Sequence, residues 1–162
     1  MRRAIVALAG FLILAGVTLS ISKKEMLLVT GRVVLLELAP VDPRSLMQGD
    51  YMALRFKAAN QAFGSRTEAS LATDGKIVLS VNENSVATFK RLDTGAPLAA
   101  DEVAIRYRIR DHRPKFGTNA FFFQEGHAKD YSKARYGEFR VADSGECILT
   151  GLRDEHLVAL GK

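Results

Sequence analysis

The hydrophobic positions divide the chain into one long apolar start and a series of short apolar segments. Residues 4–21 carry no charge, and the basic pairs Arg2-Arg3 and Lys23-Lys24 stand on either side of them. A helix of 18 residues covers about 27 Å, which approaches the ~30 Å hydrocarbon core of a bilayer. The pattern therefore predicts an N-terminal transmembrane helix.

Two other interpretations of this segment stay open, a cleaved secretory signal and a buried core helix. The apolar run is longer than the usual signal core of about 7–15 residues, and Thr18-Leu19-Ser20 is a poor cleavage site. We therefore expect an uncleaved signal anchor over residues 1–24, a short connector over 25–31 and an exported domain over 32–162. The expected location is the bacterial inner membrane, single-pass, with the C-terminal domain in the periplasm.

The remaining apolar residues come in short runs between turn signals, which is typical of β structure. Asp74-Gly75 is the clearest hairpin signal. Helical segments are expected at 58–71 and 128–136, with a last helical turn or two at 154–160. The predicted fold is a single antiparallel β sandwich or partly open barrel with one or two short helices. The candidate strands are 32–38, 51–57, 76–81, 86–92, 103–110, 118–123, 137–141 and 147–152.

One candidate strand alternates cleanly and gives the largest charged feature. Ile105, Tyr107 and Ile109 fall on one face, and Arg106, Arg108 and Arg110 fall on the other. This basic face is either a solvated surface that blunts a sheet edge or a contact for anionic lipid or an acidic partner.

A run of three aromatic residues, Phe121-Phe122-Phe123, places apolar rings on both faces of another candidate strand. We expect a central, doubly covered strand, and keep a partner-facing Phe122 as a hypothesis.

Composition excludes several classes of protein. The net charge is +5 over 162 residues, and without residues 1–22 it falls to +3 (21 basic, 18 acidic), too little to indicate a nucleic-acid binder. Cys147 is the single cysteine, so no disulfide framework exists. The three histidines lack the spacing of a metal site, and we expect no metal and no cofactor.

No constellation typical of an enzyme is present, so we expect that the protein is not one. The remote alternative is a membrane-anchored serine peptidase that uses Ser45. Its Ser-Leu-Met sequence lies too close to Gly49-Asp50 for the signal-peptidase pattern, and no lysine lies on an apolar strand as its base.

Two longer stretches resemble the bacterial GDYXXLXY protein family. The first contains Gly49, Asp50, Tyr51 and Leu54, but has Phe56 at the last tyrosine of the signature. The second runs from Phe122 through Tyr136, Gly137, Glu138 and Arg140. The resemblance implies a small membrane-anchored protein with a multi-spanning membrane protein as neighbour, and it supplies no catalytic residue.

The motif residues support two interpretations. Asp42, Arg44 and Asp50 either stabilise a β-corner or form a partner or ligand site with the segment at Tyr136. We expect the two stretches to meet in space. The expected function is an accessory protein docking on a multi-spanning inner-membrane protein. The alternative is a domain that binds a small molecule or lipid.

Overall fold

The computed structural model describes residues 2–39, 47–48, 51–64, 72–110 and 113–161, with the backbone alone at 4–7 and 47–48. Within these residues two α-helices and ten strands follow one another, with one 3₁₀ turn at Ala128–Tyr131. The helices are α1 (Arg2–Thr30) and α2 (Lys57–Phe63). The strands are β1 (Arg32–Glu37), β2 (Met47–Gln48), β3 (Tyr51–Ala53), β4 (Asp74–Val81), β5 (Val86–Leu92), β6 (Glu102–Arg110), β7 (Arg113–Lys115), β8 (Ala120–Phe122), β9 (Tyr136–Val141) and β10 (Cys147–Arg153).

Seven strands form one curled sheet in the order β10-β9-β1-β5-β4-β6-β7. A small sheet has the order β2-β3-β8. The mainly-β class is confirmed, but the expectation of purely antiparallel pairing is wrong, because β1 and β5 run parallel. A parallel pair needs a long crossover, and the chain between β1 and β5 supplies one.

The core lies on the concave face of the curled sheet, and Phe56 fills its centre. The ring of Phe56 is 5.4 Å from that of Phe139 on β9 and 6.1 Å from that of Phe116, just beyond β7. All three rings are almost fully buried. Phe56 therefore connects opposite sides of the sheet. The family signature has a tyrosine at this position, and in this chain a ring without the hydroxyl group lies in the tightly packed core.

Helix α2 covers the part of the core above β1 and β5. Its buried residues are Ala58, Ala59, Ala62 and Phe63, which lie on one face because their spacing follows the helical repeat. The helix starts directly after Phe56, so the candidate strand 51–57 is wrong beyond Ala53. Of the expected helix 58–71, residues 65–71 lie outside the described residues.

Two further helix predictions are wrong. Residues 128–136 form only the 3₁₀ turn before β9 begins at Tyr136, because Tyr131 packs on Phe121 and Phe123 instead of continuing a helix. Residues 154–160 form a turn, in which Asp154 Oδ1 accepts hydrogen bonds from two backbone N–H groups.

The predicted hairpin at Asp74-Gly75 is wrong as well. Both residues belong to β4 and pair with β6, and a Cβ at position 75 would lie 2.9 Å from the ring of Tyr107. Glycine is needed here for close packing rather than for a turn. The β4–β5 turn is at 82–85 instead, where Asn82 Oδ1 accepts from the N–H groups of Asn84 and Val86 at 3.0 and 2.9 Å.

Helix α1 runs directly into β1, so residues 25–30 of the expected connector are helical. Leu27 is buried against the domain, and Arg140 Nη1 donates to the carbonyl of Gly31 at 3.2 Å. Judged over the described residues only, neither helix meets the length and apolar character required for a membrane crossing.

Glu102 is the buried charged side chain of the described core. Its hydrogen bonds connect the loop 93–101 to the sheet. Its carboxylate accepts hydrogen bonds from Lys90 Nζ at 3.0 Å, from Arg91 Nη2 at 3.0 Å and from the Ala99 N–H at 3.2 Å. The Lys90 hydrogen bond, followed by that of Ala99, lowers the pKa of Glu102 below its ordinary value.

We expect Phe56→Ala to lower the free energy of unfolding by about 3–5 kcal/mol, because it leaves a cavity at the centre of the core. Phe122→Ala is the matched control, since that ring is 72% exposed and its loss should cost less than about 0.5 kcal/mol. Urea unfolding of the full chain in mild detergent, followed by circular dichroism, measures both. Equal losses for the two variants would contradict the central role of Phe56.

We expect Glu102→Gln to lower the melting temperature at neutral pH. A lowered pKa means that the carboxylate stabilises the fold above the pKa of the unfolded chain, and that this stabilisation is lost as the pH falls through the folded-state pKa. The difference from the wild type should therefore be full at neutral pH and shrink as the pH falls below the ordinary glutamate pKa of 4.5. Glu83→Gln, at an exposed turn, is the control and should follow the wild type. A difference that persists unchanged in acid would refute this explanation.

Candidate functional site

The motif residues with the strongest sequence signal are Asp42, Arg44, Gly49 and Asp50, and they lie outside the described residues. Ser45 of the peptidase alternative also lies outside them. The β-corner and the partner site that these residues suggested both stay predictions.

The rest of the first stretch has structural contacts. Leu54 is buried in the core, and its N–H donates to the carbonyl of Asn119 at 2.7 Å. Tyr51 lies on β3, where its ring is 5.7 Å from that of Phe122. Leu54 thus faces the core, whereas Tyr51 lies beside an exposed ring.

The last part of the second stretch forms β9, between β1 and β10. A Cβ at Gly137 would lie 3.0 Å from the Phe56 ring, so this glycine lets the two motif stretches pack closely. Glu138 Oε2 accepts a hydrogen bond from Arg153 Nε at 2.6 Å, and Tyr136 pairs in register with Arg153 and Glu37. Arg140 holds the end of α1, so this segment connects core, sheet and helix.

The described parts of the two stretches do meet, through Phe56, Gly137 and Phe139. A backbone hydrogen bond adds to this contact, since the Leu38 N–H donates to Arg135 O at 2.8 Å. The Ala39 N–H donates to Arg55 O at 2.8 Å and joins the two ends of the first stretch. The contact is core packing and backbone pairing, which favours a structural role for this part of the motif.

The aromatic run does not form a central strand. β8 is at the edge of the small sheet, Phe121 and Phe123 pack on Tyr131, and Phe122 is exposed. The expectation of a doubly covered strand is wrong, because the small sheet ends at β8 rather than continuing on its far side.

The basic face of β6 forms part of a cavity. Arg106, Arg108 and Arg110 are exposed, whereas Ile105 and Tyr107 are buried, so the alternation along β6 is as the sequence predicts. The three arginines line an open cavity of about 340 Å³. The other lining residues are Lys24, Lys115, Gly117, Glu146 and Cys147.

The cavity forms where the two ends of the curled sheet approach each other. The Arg106 N–H on β6 donates to the carbonyl of Gly145, in the β9–β10 turn, at 2.8 Å. A Cβ at Gly117 would lie 2.9 Å from the carbonyl of Cys147, at the start of β10. From α1, Lys24 Nζ reaches to 3.7 Å from Glu146 Oε2 and closes one side. The cavity is therefore built from three distant parts of the chain.

Sequence reasoning missed Lys24, Glu146 and Cys147 as members of this site. Lys24 is visible in the sequence only as a residue that flanks the apolar run, and Glu146 only as part of a turn. No local pattern relates these positions to β6, because the closure of the sheet brings them together.

Cys147 lies in the cavity wall as a neutral thiol. Burial raises the pKa of its thiol to about 12, although the charge of Lys24 opposes that shift. The cavity therefore presents positive charge without a reactive thiolate.

Other groups with possible chemistry are sparse in the described part of the chain. His127 Nδ1 lies 2.7 Å from Asp130 Oδ2, and both side chains are exposed. Among the described residues, no three His, Cys, Asp or Glu side chains form a group that holds a metal ion. A second open cavity, of about 260 Å³, is lined in part by Arg55, Asn60 and Asn119.

We expect Cys147 to react with Ellman's reagent at pH 8 at least tenfold more slowly in the folded chain than in guanidinium. A pKa of about 12 leaves a thiolate fraction about a thousandfold below that of an ordinary thiol. A thiolate of higher pKa is a stronger nucleophile, but this offsets only part of the loss in reaction rate. The absorbance of the released thionitrobenzoate measures the reaction rate, and Cys147→Ser is the blank. Fast labelling of the folded chain would show that the thiol is accessible and ionised.

The comparison with known families agrees with the two motif stretches. A model of the GDYXXLXY protein family matches residues 13–152, which is most of the chain. No curated protein and no solved structure matches the chain. The matched range includes both stretches, the entire curled sheet except the last residue of β10, and the second half of α1. The chain therefore belongs to the GDYXXLXY protein family.

Proposed function

We propose that the protein is held in the bacterial inner membrane by α1 and that its periplasmic β domain docks on a neighbouring multi-spanning membrane protein. In this proposal it is an accessory or assembly factor and catalyses no reaction. The observation that carries the proposal is an exposed apolar helix that continues without a break into the folded domain.

Helix α1 presents apolar side chains in every direction. Phe11, Leu12, Ile13 and Leu14 are consecutive, and each is more than 60% exposed. Successive helical residues point about 100° apart, so these four cover the whole circumference. A helix that is apolar on all sides requires a lipid or protein environment. The proposed span is the uncharged sequence 4–21, and it includes residues 4–7, whose side chains lie outside the described part of the structure.

The attachment of α1 to the β domain limits the distance between the domain and the bilayer. Ile21 ends the apolar run, and Thr30 ends the helix nine residues later, a distance of about 14 Å along the axis. Leu27, Arg140 and the Lys24–Glu146 ion pair fasten the helix end to the sheet. A domain held this close to the bilayer meets a neighbouring membrane protein at high effective concentration, so a weak contact surface is sufficient.

Phe122 is the surface residue that best fits a protein contact. Its ring is 72% exposed at an edge strand and lies beside the ring of Tyr51. Exposed aromatic residues are enriched where proteins bind one another. The alternative, a domain that binds an apolar small molecule or lipid tail, has less support, because the two cavities described above are lined largely by charged and polar side chains.

We expect a photo-crosslinking amino acid at position 122, in native membranes, to capture a multi-spanning membrane protein. The same amino acid at position 98 is the matched control, because Leu98 is an exposed apolar residue in the loop before β6. Mass spectrometry of the crosslinked product identifies the protein captured. A reporter active only in the periplasm, fused after Lys162, checks the orientation.

Capture at position 122 and not at position 98 supports docking through this edge. Equal capture at both positions indicates collision without docking and contradicts the proposal. Capture of lipid alone at position 122 favours the lipid-binding alternative. A silent periplasmic reporter together with an active cytoplasmic one contradicts the orientation.

A further inference from the structure

The cavity on the outer face of β6 has a large excess of positive charge. Five cationic side chains and one carboxylate line it, a net charge of +4 when each is ionised. They are Lys24, Arg106, Arg108, Arg110, Lys115 and Glu146. Like charges gathered in one concave site repel one another, and an anion bound among them relieves that repulsion.

Carboxylates of the domain neutralise only part of this charge. Glu146 is 3.7 Å from Lys24 Nζ, and Asp74 Oδ1 is 3.3 Å from Arg108 Nε. The guanidinium groups of Arg106 and Arg110 pair with no carboxylate of the described residues. These two groups are the ones available to a ligand.

Several guanidinium groups that line one cavity suit a tetrahedral oxyanion. Alternate residues of a strand are about 7 Å apart, so Arg106 and Arg110 approach the cavity from either side of Arg108. Guanidinium groups bind phosphate oxygens through two parallel N–H···O hydrogen bonds. The opening of the cavity to solvent leaves room for a group to which the phosphate is attached.

The position of the cavity along α1 indicates where that phosphate comes from. Lys24 follows Ile21, the end of the apolar run, by three residues, about 4.5 Å along the helix axis. In a helix that crosses the bilayer through residues 4–21, this level is that of the lipid headgroups. Basic pockets beside a membrane helix at this depth are typical sites for anionic lipids.

We propose that this cavity binds the phosphate group of an anionic phospholipid headgroup, chiefly through Arg106 and Arg110. The headgroup as source rests on the proposed membrane anchor, whereas the phosphate chemistry does not. Free inorganic phosphate shares that chemistry, and the experiment therefore has a separate arm for it. The bound lipid would fix the orientation of the β domain above the bilayer.

The test compares the full-length wild type with Arg106→Gln/Arg110→Gln. Lys133→Gln/Arg135→Gln is the matched control, because it removes the same two charges from exposed positions away from the cavity. Native mass spectrometry in mild detergent measures the affinity for phosphatidylglycerol and for phosphatidylcholine. Titration calorimetry measures inorganic phosphate. Flotation with phosphatidylcholine vesicles checks the anchor in all three chains.

We expect the affinity of the cavity variant for phosphatidylglycerol to fall about 25-fold, at about fivefold for each charge removed. The control should bind like the wild type, and phosphatidylcholine should bind weakly to all three. This result supports the proposal.

A cavity variant that binds phosphatidylglycerol like the wild type overturns the proposal. Loss of inorganic phosphate binding alone, without any preference of the wild type for phosphatidylglycerol, overturns the headgroup as the ligand. A wild type that does not float with vesicles contradicts the membrane anchor, and with it the headgroup as the source. The calorimetric comparison then decides the anion site independently of the anchor.

Discussion

The packing of Phe56 between the two sides of the curled sheet is the interaction on which the rest of the structure depends. Its ring contacts Phe139 on β9 and Phe116 beyond β7, two positions far apart in the strand order. An aromatic ring in the centre holds the sheet in its curl, because a flat sheet would leave the same ring without partners on one side. Gly137 is part of the same arrangement, since any side chain there would meet the Phe56 ring.

The curl in turn creates the basic cavity. Once the sheet bends around Phe56, the β9–β10 turn reaches the backbone of Arg106, and β10 begins beside Gly117. The exposed arginines of β6 then line an open cavity together with Lys24 of α1. A core substitution that changes the curl would therefore also change the shape of the basic cavity, although the core and the cavity share no side chains.

The site and the proposed anchor are related by the rigid end of α1. Leu27 is buried, and Arg140 Nη1 donates to the carbonyl of Gly31, so the end of the helix is held against the sheet. A cavity formed partly by the helix and partly by the sheet keeps its shape only under that condition. The same connection gives the domain a defined distance from the place where the uncharged run ends.

The sequence by itself determined the local features. The alternation along β6 follows from a repeat of two residues. The extent of β5 and the uncharged run of α1 follow from continuous stretches of sequence. None of these predictions requires knowledge of the neighbouring strands. The family was also readable, because its two motif stretches are contiguous in the sequence. Only the tertiary structure decided the parallel pairing of β1 with β5, the strand position of Asp74-Gly75 and the exposure of Phe122. It also brought Lys24, Glu146 and Cys147 to the arginines of β6. Side-chain alternation depends on neighbours one or two residues away, whereas strand order and closure depend on contacts between residues far apart in the chain, which local patterns do not encode.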